Sequence, residues 1–243
     1  MQGYSRYLWI VGSFLFLFAI ACEADEPERP AFDRQRVRMV REQIENRGVK
    51  DPDVLAAMRE VERHRFVPVE WRHRAYADSP LPIGEGQTIS QPYIVALMTE
   101  ALDLEEDERV LEVGTGSGYQ AAVLAEICRN VYTVEINKRL GERAKDLLST
   151  LGYGNIQVKI GDGYKGWKAF SPFDGIIVTC APTDIPEPLK AQLAEGGKMV
   201  IPVGPGSFQE LVVLTKTAAG ALEKRTIAPV RFVPMIKKDG TTH

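Results

Sequence analysis

Cysteine is scarce, with Cys22, Cys128 and Cys180 the only three in 243 residues. No two of them are neighbours in sequence, so neither a disulfide framework nor a paired-cysteine zinc site is indicated. Histidine is equally scarce. His64, His73 and His243 all lie outside the glycine motifs, which argues against a Ser-His-Asp hydrolase. Charge of one sign is not in excess either. A formal charge of −3 and a pI near 5.8 offer no electrostatic case for a nucleic-acid partner. Internal repeats, low-complexity tracts and metal-ligand spacings are absent, so no metal is expected. What remains is an ordinary globular composition, 44% hydrophobic and 26% charged, whose length suits one α/β domain with a modest N-terminal elaboration.

The most informative stretch is Val110-Leu-Glu-Val-Gly-Thr-Gly-Ser-Gly118. A strand-like run, Arg109 to Val113, breaks into Gly114-x-Gly116-x-Gly118, and a helical pattern over 119–128 follows at once. Strand, glycine turn and helix start together make a site for a nucleotide-like ligand, because glycine allows close backbone approach. A second strand-like run, Asn130 to Glu135, ends in an acid 21 residues after Gly114, where a carboxylate can accept from both ribose hydroxyls. A dinucleotide site wants G-x-G-x-x-G, but here the third glycine comes one residue early and Tyr119 stands in its place. Glu112 would sit badly beside a pyrophosphate and well beside an ammonium group. Acid-x-Gly-x-Gly-x-Gly resembles motif I of the Rossmann-like methyltransferases that use S-adenosyl-L-methionine (SAM), which carries an ammonium and no phosphate. On the residues alone, a glycine turn in some other α/β protein stays open.

From Arg109 onward the rhythm is βαβ, which predicts a mostly parallel sheet with helices on both faces. Strands are expected over 109–113, 130–135, 156–160, 173–179 and 198–203, with helices over about 119–128, 138–151 and 186–194. Residues 210–216 and 222–232 are strand-like with no helix between them. They suit a closing antiparallel hairpin at one sheet edge, as in the seven-stranded methyltransferase fold, whose seventh strand inserts antiparallel. Upstream, Asp33 to Arg47 reads as a helix with Val37, Val40 and Ile44 on one face, ended by Gly48. Asp51-Pro52 is a cap followed by a first-turn proline, starting a helix over 53–61. The basic segment 63–74 reads either as a nucleic-acid patch or as a solvated face around buried Phe66, Val67 and Trp71, and the acidic chain favours the second.

Three further segments narrow the class. Gly161-Asp-Gly163 follows the third strand, where Asp162 could accept from an adenine amino group and the Gly163 backbone reach a ring nitrogen, although a bare Gly-Asp-Gly is as readily a turn. The longer run from Gly161 to Ile176 resembles, at all sixteen positions, the signature of the protein-L-isoaspartate (D-aspartate) O-methyltransferase family. Ile83 to Pro92, leading into a helix over 93–101, resembles that family's loop bordering cofactor and substrate, with Ser90 at the position assigned to its active site and Thr88 beside it. Without the resemblance, Thr88 or Ser90 could simply cap the helix. Gly196 to Gly204 and Val230 to Met235 resemble the strand at the sheet edge and the C-terminal loop lining the peptide groove. The resemblance covers residues 33–236.

The resemblance implies SAM as cofactor, held by Glu112, Gly114, Gly116, Gly118, Glu135, Asp162 and Gly163, and isoaspartyl-containing proteins and peptides as partners. Its reaction would methylate the free α-carboxylate, whose ester closes to a succinimide and reopens partly to normal aspartate. A carboxylate with a pKa near 4 is already ionised at neutral pH, so no general base is required. The implied organisation is a cover region over 33–108, a SAM-binding core over 109–236 and a tail over 237–243, in a chain expected to be monomeric.

Residues 1–30 depart from the family. The nearly unbroken apolar run Leu8 to Ala21 follows Arg6 and precedes an acidic linker over 23–32. Spanning a bilayer takes about 20 apolar residues, so the run suits the h-region of a signal peptide better, with Ala19-Ile20-Ala21 as a cleavage site and Cys22 resembling a lipobox cysteine. Against export stand the cytoplasmic supply of SAM and the arginines at 29, 34, 36, 38 and 41, which place the body inside by the positive-inside rule. The cytoplasm is the expected location. Export, an anchor over residues 1–22 and a misassigned start codon remain the alternatives.

Overall fold

The computed structural model of the protein describes residues 29–206, 208–237 and 240–242. The export, anchor and lipobox readings fall on residues 1–22, outside the described residues.

The N-terminal region opens with α1, Arg29–Met39, which starts inside the stretch expected to be linker. The helix continues as a π turn, Val40–Ile44, and a 3-10 turn, Glu45–Arg47, ending at Gly48 with φ +101°. Val40 and Ile44 are buried as expected, but Val37 is 54% exposed and Phe32 and Met39 point inward instead. The extra residue of the π turn rotates the apolar stripe off Val37. Helix α2, Pro52–Glu60, starts as anticipated, with the Asp51 carboxylate accepting from the Asp53 and Val54 amides and Pro52 in the first turn. Two 3-10 turns, Arg63–Phe66 and Val69–Arg74, lead to a short hairpin of β1, Leu81–Gly84, and β2, Gln87–Ile89, and then to α3, Pro92–Leu102.

The basic segment departs from the expected solvated face. Phe66 and Val67 are buried, yet so are Arg63 and His64. His64 stacks on Phe32 at 4.2 Å and its Nδ1 lies 2.7 Å from the Tyr76 hydroxyl. The first 3-10 turn rolls Arg63 and His64 into the core, whereas Arg65 and Arg72 are half-buried, His73 and Arg74 are exposed, and Trp71, expected in the core, is only half-buried.

The core alternates strand and helix through β3, Arg109–Val113; α4, Tyr119–Ala125; β4, Asn130–Glu135; α5, Lys138–Thr150; β5, Ile156–Ile160; and β6, Phe173–Val178. Helix α6, Glu187–Gln192, runs directly into β7, Leu193–Val203, followed by β8, Gln209–Lys216, and β9, Leu222–Val230. The seven-stranded sheet has the order β5-β4-β3-β6-β7-β8-β9, parallel from β5 to β7. The expected edge hairpin is present, with β8 antiparallel to both neighbours. The inserted strand is therefore the sixth in chain order, and the seventh, β9, takes the edge. Connections of only a few residues on both sides of β8 make each strand pair with the next in sequence. Apolar side chains fill both faces, with Val110, Ala122 and Leu140 in one layer and Leu111, Phe173 and Leu189 in the other.

Candidate functional site

The carboxyl ends of β3, β4 and β6 converge where the strand order reverses, the usual ligand crevice of an open α/β sheet. A cavity of about 300 Å³ lies there, walled by Glu112, Gly114, Gly116, Tyr119, Glu135, Gly163, Thr179 and Cys180, with Thr88 and Ser90 across from them. Of the sequence-derived residues, Glu112, Gly114, Gly116, Glu135, Gly163, Thr88 and Ser90 all reach this wall, whereas Gly118 and Asp162 stand behind it. Gly118 is the residue before α4 and packs towards Leu148 of α5. Asp162 caps the 3-10 turn Gly163–Lys165 through its carboxylate, which accepts from the Tyr164 amide at 3.0 Å.

Glu112 occupies the parallel register position opposite Thr133 and is completely buried. Its Oε2 accepts from the Thr133 hydroxyl at 2.6 Å, and the Thr115 hydroxyl lies 2.6 Å from that of Thr133. Among the described residues, Oε1 has no hydrogen-bond partner. Burial pushes the carboxyl up to about 8, opposed by the Thr133 bond and assisted by the nearby charge of Glu135. An orphaned buried carboxylate oxygen facing a cavity is costly unless something cationic or donating meets it. The ammonium of SAM fits that requirement.

Glu135 ends β4 with its Oε2 accepting from the Gly116 amide and its Oε1 from the Asn137 amide, both at 2.8 Å. Each oxygen keeps a second lone pair for a ribose hydroxyl. Gly114 has φ +102°, and a Cβ there would collide with the Thr179 hydroxyl. A Cβ on Gly163 would meet Val113 Cγ1 at 2.5 Å and Met235 Cε at 3.3 Å. At both places the backbone forms the floor of the cavity because no side chain intervenes.

A second depression, a groove of about 820 Å³, opens beside the cavity and shares Thr88, Ser90, Thr179, Val233 and Pro234 with it. Residues 229–234 form one wall, in agreement with the expected place of the C-terminal loop. That loop is pinned by the Ala181 amide on the Val233 carbonyl and the Met235 amide on the Ala181 carbonyl, both at 2.8 Å. Gln209 adds a two-way clamp on Phe232. Neither Thr88 nor Ser90 caps α3. Its N-cap is Gln91 and no side chain bonds there. The simple capping reading of these two hydroxyls is thereby removed.

Sequence reasoning missed Thr115, Thr133, Thr179 and Arg63. Thr133 left a signal, as a polar residue at a buried position of an apolar strand two positions before Glu135. Cys128 is buried three residues beyond the end of α4, and burial lifts its thiol to about 12. Burial also raises the thiol of Cys180 in the cavity wall.

The sheet order, the glycine turn and the acid-lined cavity at the switch point define a Rossmann-like methyltransferase fold. Residues 34–240 match the profile of the family protein-L-isoaspartate(D-aspartate) O-methyltransferase (PCMT), and the chain belongs to that family. A protein-L-isoaspartate O-methyltransferase of Picosynechococcus sp. is 58% identical over 200 residues, covering 82% of this chain and 89% of its own. A solved structure from Plasmodium falciparum, described as a protein-L-isoaspartate O-methyltransferase in complex with S-adenosyl-L-homocysteine, superposes with a TM-score of 0.73 at 28% identity, covering 84% of this chain and 98% of its own. Another solved protein-L-isoaspartate O-methyltransferase gives a TM-score of 0.73 at 30% identity over 83% of this chain, which spans 65% of that protein's length. Among the described residues no cluster of metal-ligating side chains occurs.

Proposed function

We infer that this protein is a SAM-dependent methyltransferase that esterifies the free α-carboxylate of L-isoaspartyl residues in damaged proteins and peptides, starting their repair through a succinimide. The observation that carries the reading is the meeting of an acid-lined cavity with an open groove at Thr88, Ser90 and Thr179, in a chain of the isoaspartyl methyltransferase family. When bound, SAM supplies an electrophilic methyl group on a sulfonium. Glu112 would hold the ammonium through its free Oε1, and Glu135 would accept from the ribose. Gly114 and Gly116 keep the floor low, Gly118 starts the helix behind it, and Gly163, on a turn capped by Asp162, would meet the adenine.

The substrate carboxylate is ionised at neutral pH, so the site needs no general base. His64, bound to Tyr76 and stacked on Phe32, is occupied elsewhere. Ser90 donates its hydroxyl to orient the carboxylate and Thr88 borders the same junction. Positioning of this kind can supply up to about 7–11 kcal/mol of the barrier. Residues 33–108 act as the cover and 109–236 as the cofactor core. The reading includes a monomer in the cytoplasm, where SAM is made, with neither metal nor nucleic acid as partner.

The test is methyl transfer from labelled SAM to matched peptides carrying isoaspartate, D-aspartate or normal aspartate. Labelling of the isoaspartyl peptide over the aspartyl one is expected, and equal or no labelling overturns the reading. Glu135→Ala removes charge-assisted hydrogen bonds, any one of which is worth about 1.5–3 kcal/mol, and should weaken SAM binding by at least about tenfold. Unchanged affinity by calorimetry would remove Glu135 from the ribose role.

A further inference from the structure

Arg63 begins the 3-10 turn Arg63–Phe66 and has no exposed surface. Its Nε donates to the Ala75 carbonyl at 2.8 Å and its Nη2 to the Ser90 carbonyl at 2.6 Å. The guanidinium carbon lies 4.8 Å from the centre of the Tyr119 ring. Among the described residues its Nη1 has no hydrogen-bond partner, and burial, Tyr119 and Tyr76, not a carboxylate, set its electrostatics. Burial disfavours the charged form and lowers its pKa, but an arginine stays protonated in proteins.

A buried cation without a counter-ion is a poor way to hold a fold together. A well-packed apolar residue of similar size is commonly as stable or better. What such a residue could not do is tie together the three groups that Arg63 touches. Two of them wall the cofactor cavity, Ser90 from the cover segment and Tyr119 from the start of α4. Ser90 also borders the groove. The planar fork joins them, with one arm on the Ser90 carbonyl and its central carbon over the Tyr119 ring. A lysine keeps the charge but offers a single point of attachment and no plane.

We propose that Arg63 is a positioning residue for methyl transfer, which sets the Ser90 segment at its working distance from the cofactor cavity. The inference rests on the isoaspartyl reading and on Ser90 as the group that orients the carboxylate. It predicts that Arg63→Met lowers kcat on an isoaspartyl peptide by between about tenfold and a hundredfold, the cost of a small misplacement, while SAM affinity and peptide KM change by far less. Arg63→Lys should recover part of the loss.

The decisive measurement is a cycle of Arg63→Lys, Ser90→Ala and the double variant in the full-length protein, with kcat, KM and SAM affinity read for each. Because Arg63 acts through the placement of Ser90, the double variant should be scarcely slower than Ser90→Ala alone. Losses that multiply in the double variant overturn the proposal. A parallel fall of SAM affinity and melting temperature with kcat also overturns it, because that is the mark of a purely structural arginine. The lysine variant retains charge and bulk, so the cycle remains readable even where Arg63→Met does not fold. Failure of the function itself would appear in the unmutated enzyme as an unlabelled peptide, whereas failure of this inference appears only among the variants.

Discussion

Glu112 contains the sharpest conflict in the molecule, a carboxyl group with no exposed surface, one satisfied oxygen and one orphan. Its folded pKa of about 8 lies above the ordinary value of 4.5, so the neutral form is favoured in the fold. The stability this group contributes is fully present below about 4.5 and is lost as pH rises through about 8. An ammonium ligand reverses the preference, because pairing requires the carboxylate. SAM binding at about pH 6.5 should therefore release a proton from Glu112, visible as a dependence of the calorimetric enthalpy on the buffer's ionisation enthalpy. Glu112→Gln should abolish that dependence and weaken binding, yet melt higher than the wild-type protein above pH 8 and nearly level with it at about pH 5. Proton release that survives in Glu112→Gln would assign it to another group.

At the scale of elements, the glycine-bearing turns work by proximity. In Gly163→Ala the new methyl would meet Val113 Cγ1 at 2.5 Å, a contact that strand β3 cannot easily relieve. Overpacking of this sort costs about 1–3 kcal/mol, equivalent to a fall in melting temperature of about 2–4 °C per kcal/mol in a chain of this size. The same substitution at Gly154, whose Cβ position is open, should be neutral or mildly stabilising. Scanning calorimetry of the two variants tests this, and equal melting points would mean that the turn bearing Gly163 yields. These turns and the strands they follow were legible because the signal is local. Apolar runs of strand length stop at glycine, and β3, β4 and β5 have the expected bounds. Arg63 was not legible. In a basic run it reads as solvent-facing, and only the path of two 3-10 turns, set by tertiary packing, turns it inward. The order of β8 and β9 was hidden similarly, because alternation announces a hairpin but not which strand takes the edge.

At the scale of the whole molecule, cofactor supply and the N-terminal segment together decide where the enzyme works. The cavity needs SAM, which is made in the cytoplasm, yet residues 8–21 have the composition of a signal-peptide core. No helix among the described residues is long and apolar enough to cross a membrane. The structure bears on one part of this. Among the described residues, α1 spans Arg29–Met39 and the first buried side chain is Phe32. The body from there onward carries its own core, so removal of residues 1–21 should leave folding and isoaspartyl activity intact. Fractionating cells that express the chain with and without those residues then separates the cases. Full-length protein in the soluble cytoplasmic fraction, at its full mass, would support the cytoplasmic reading and rule out both export and anchoring. Full-length protein in the membrane fraction, released when residues 1–21 are removed, would assign them as an anchor with the body facing SAM. A shortened form outside the cytoplasm would overturn the cytoplasmic reading, and the enzyme would then depend on SAM delivered from elsewhere.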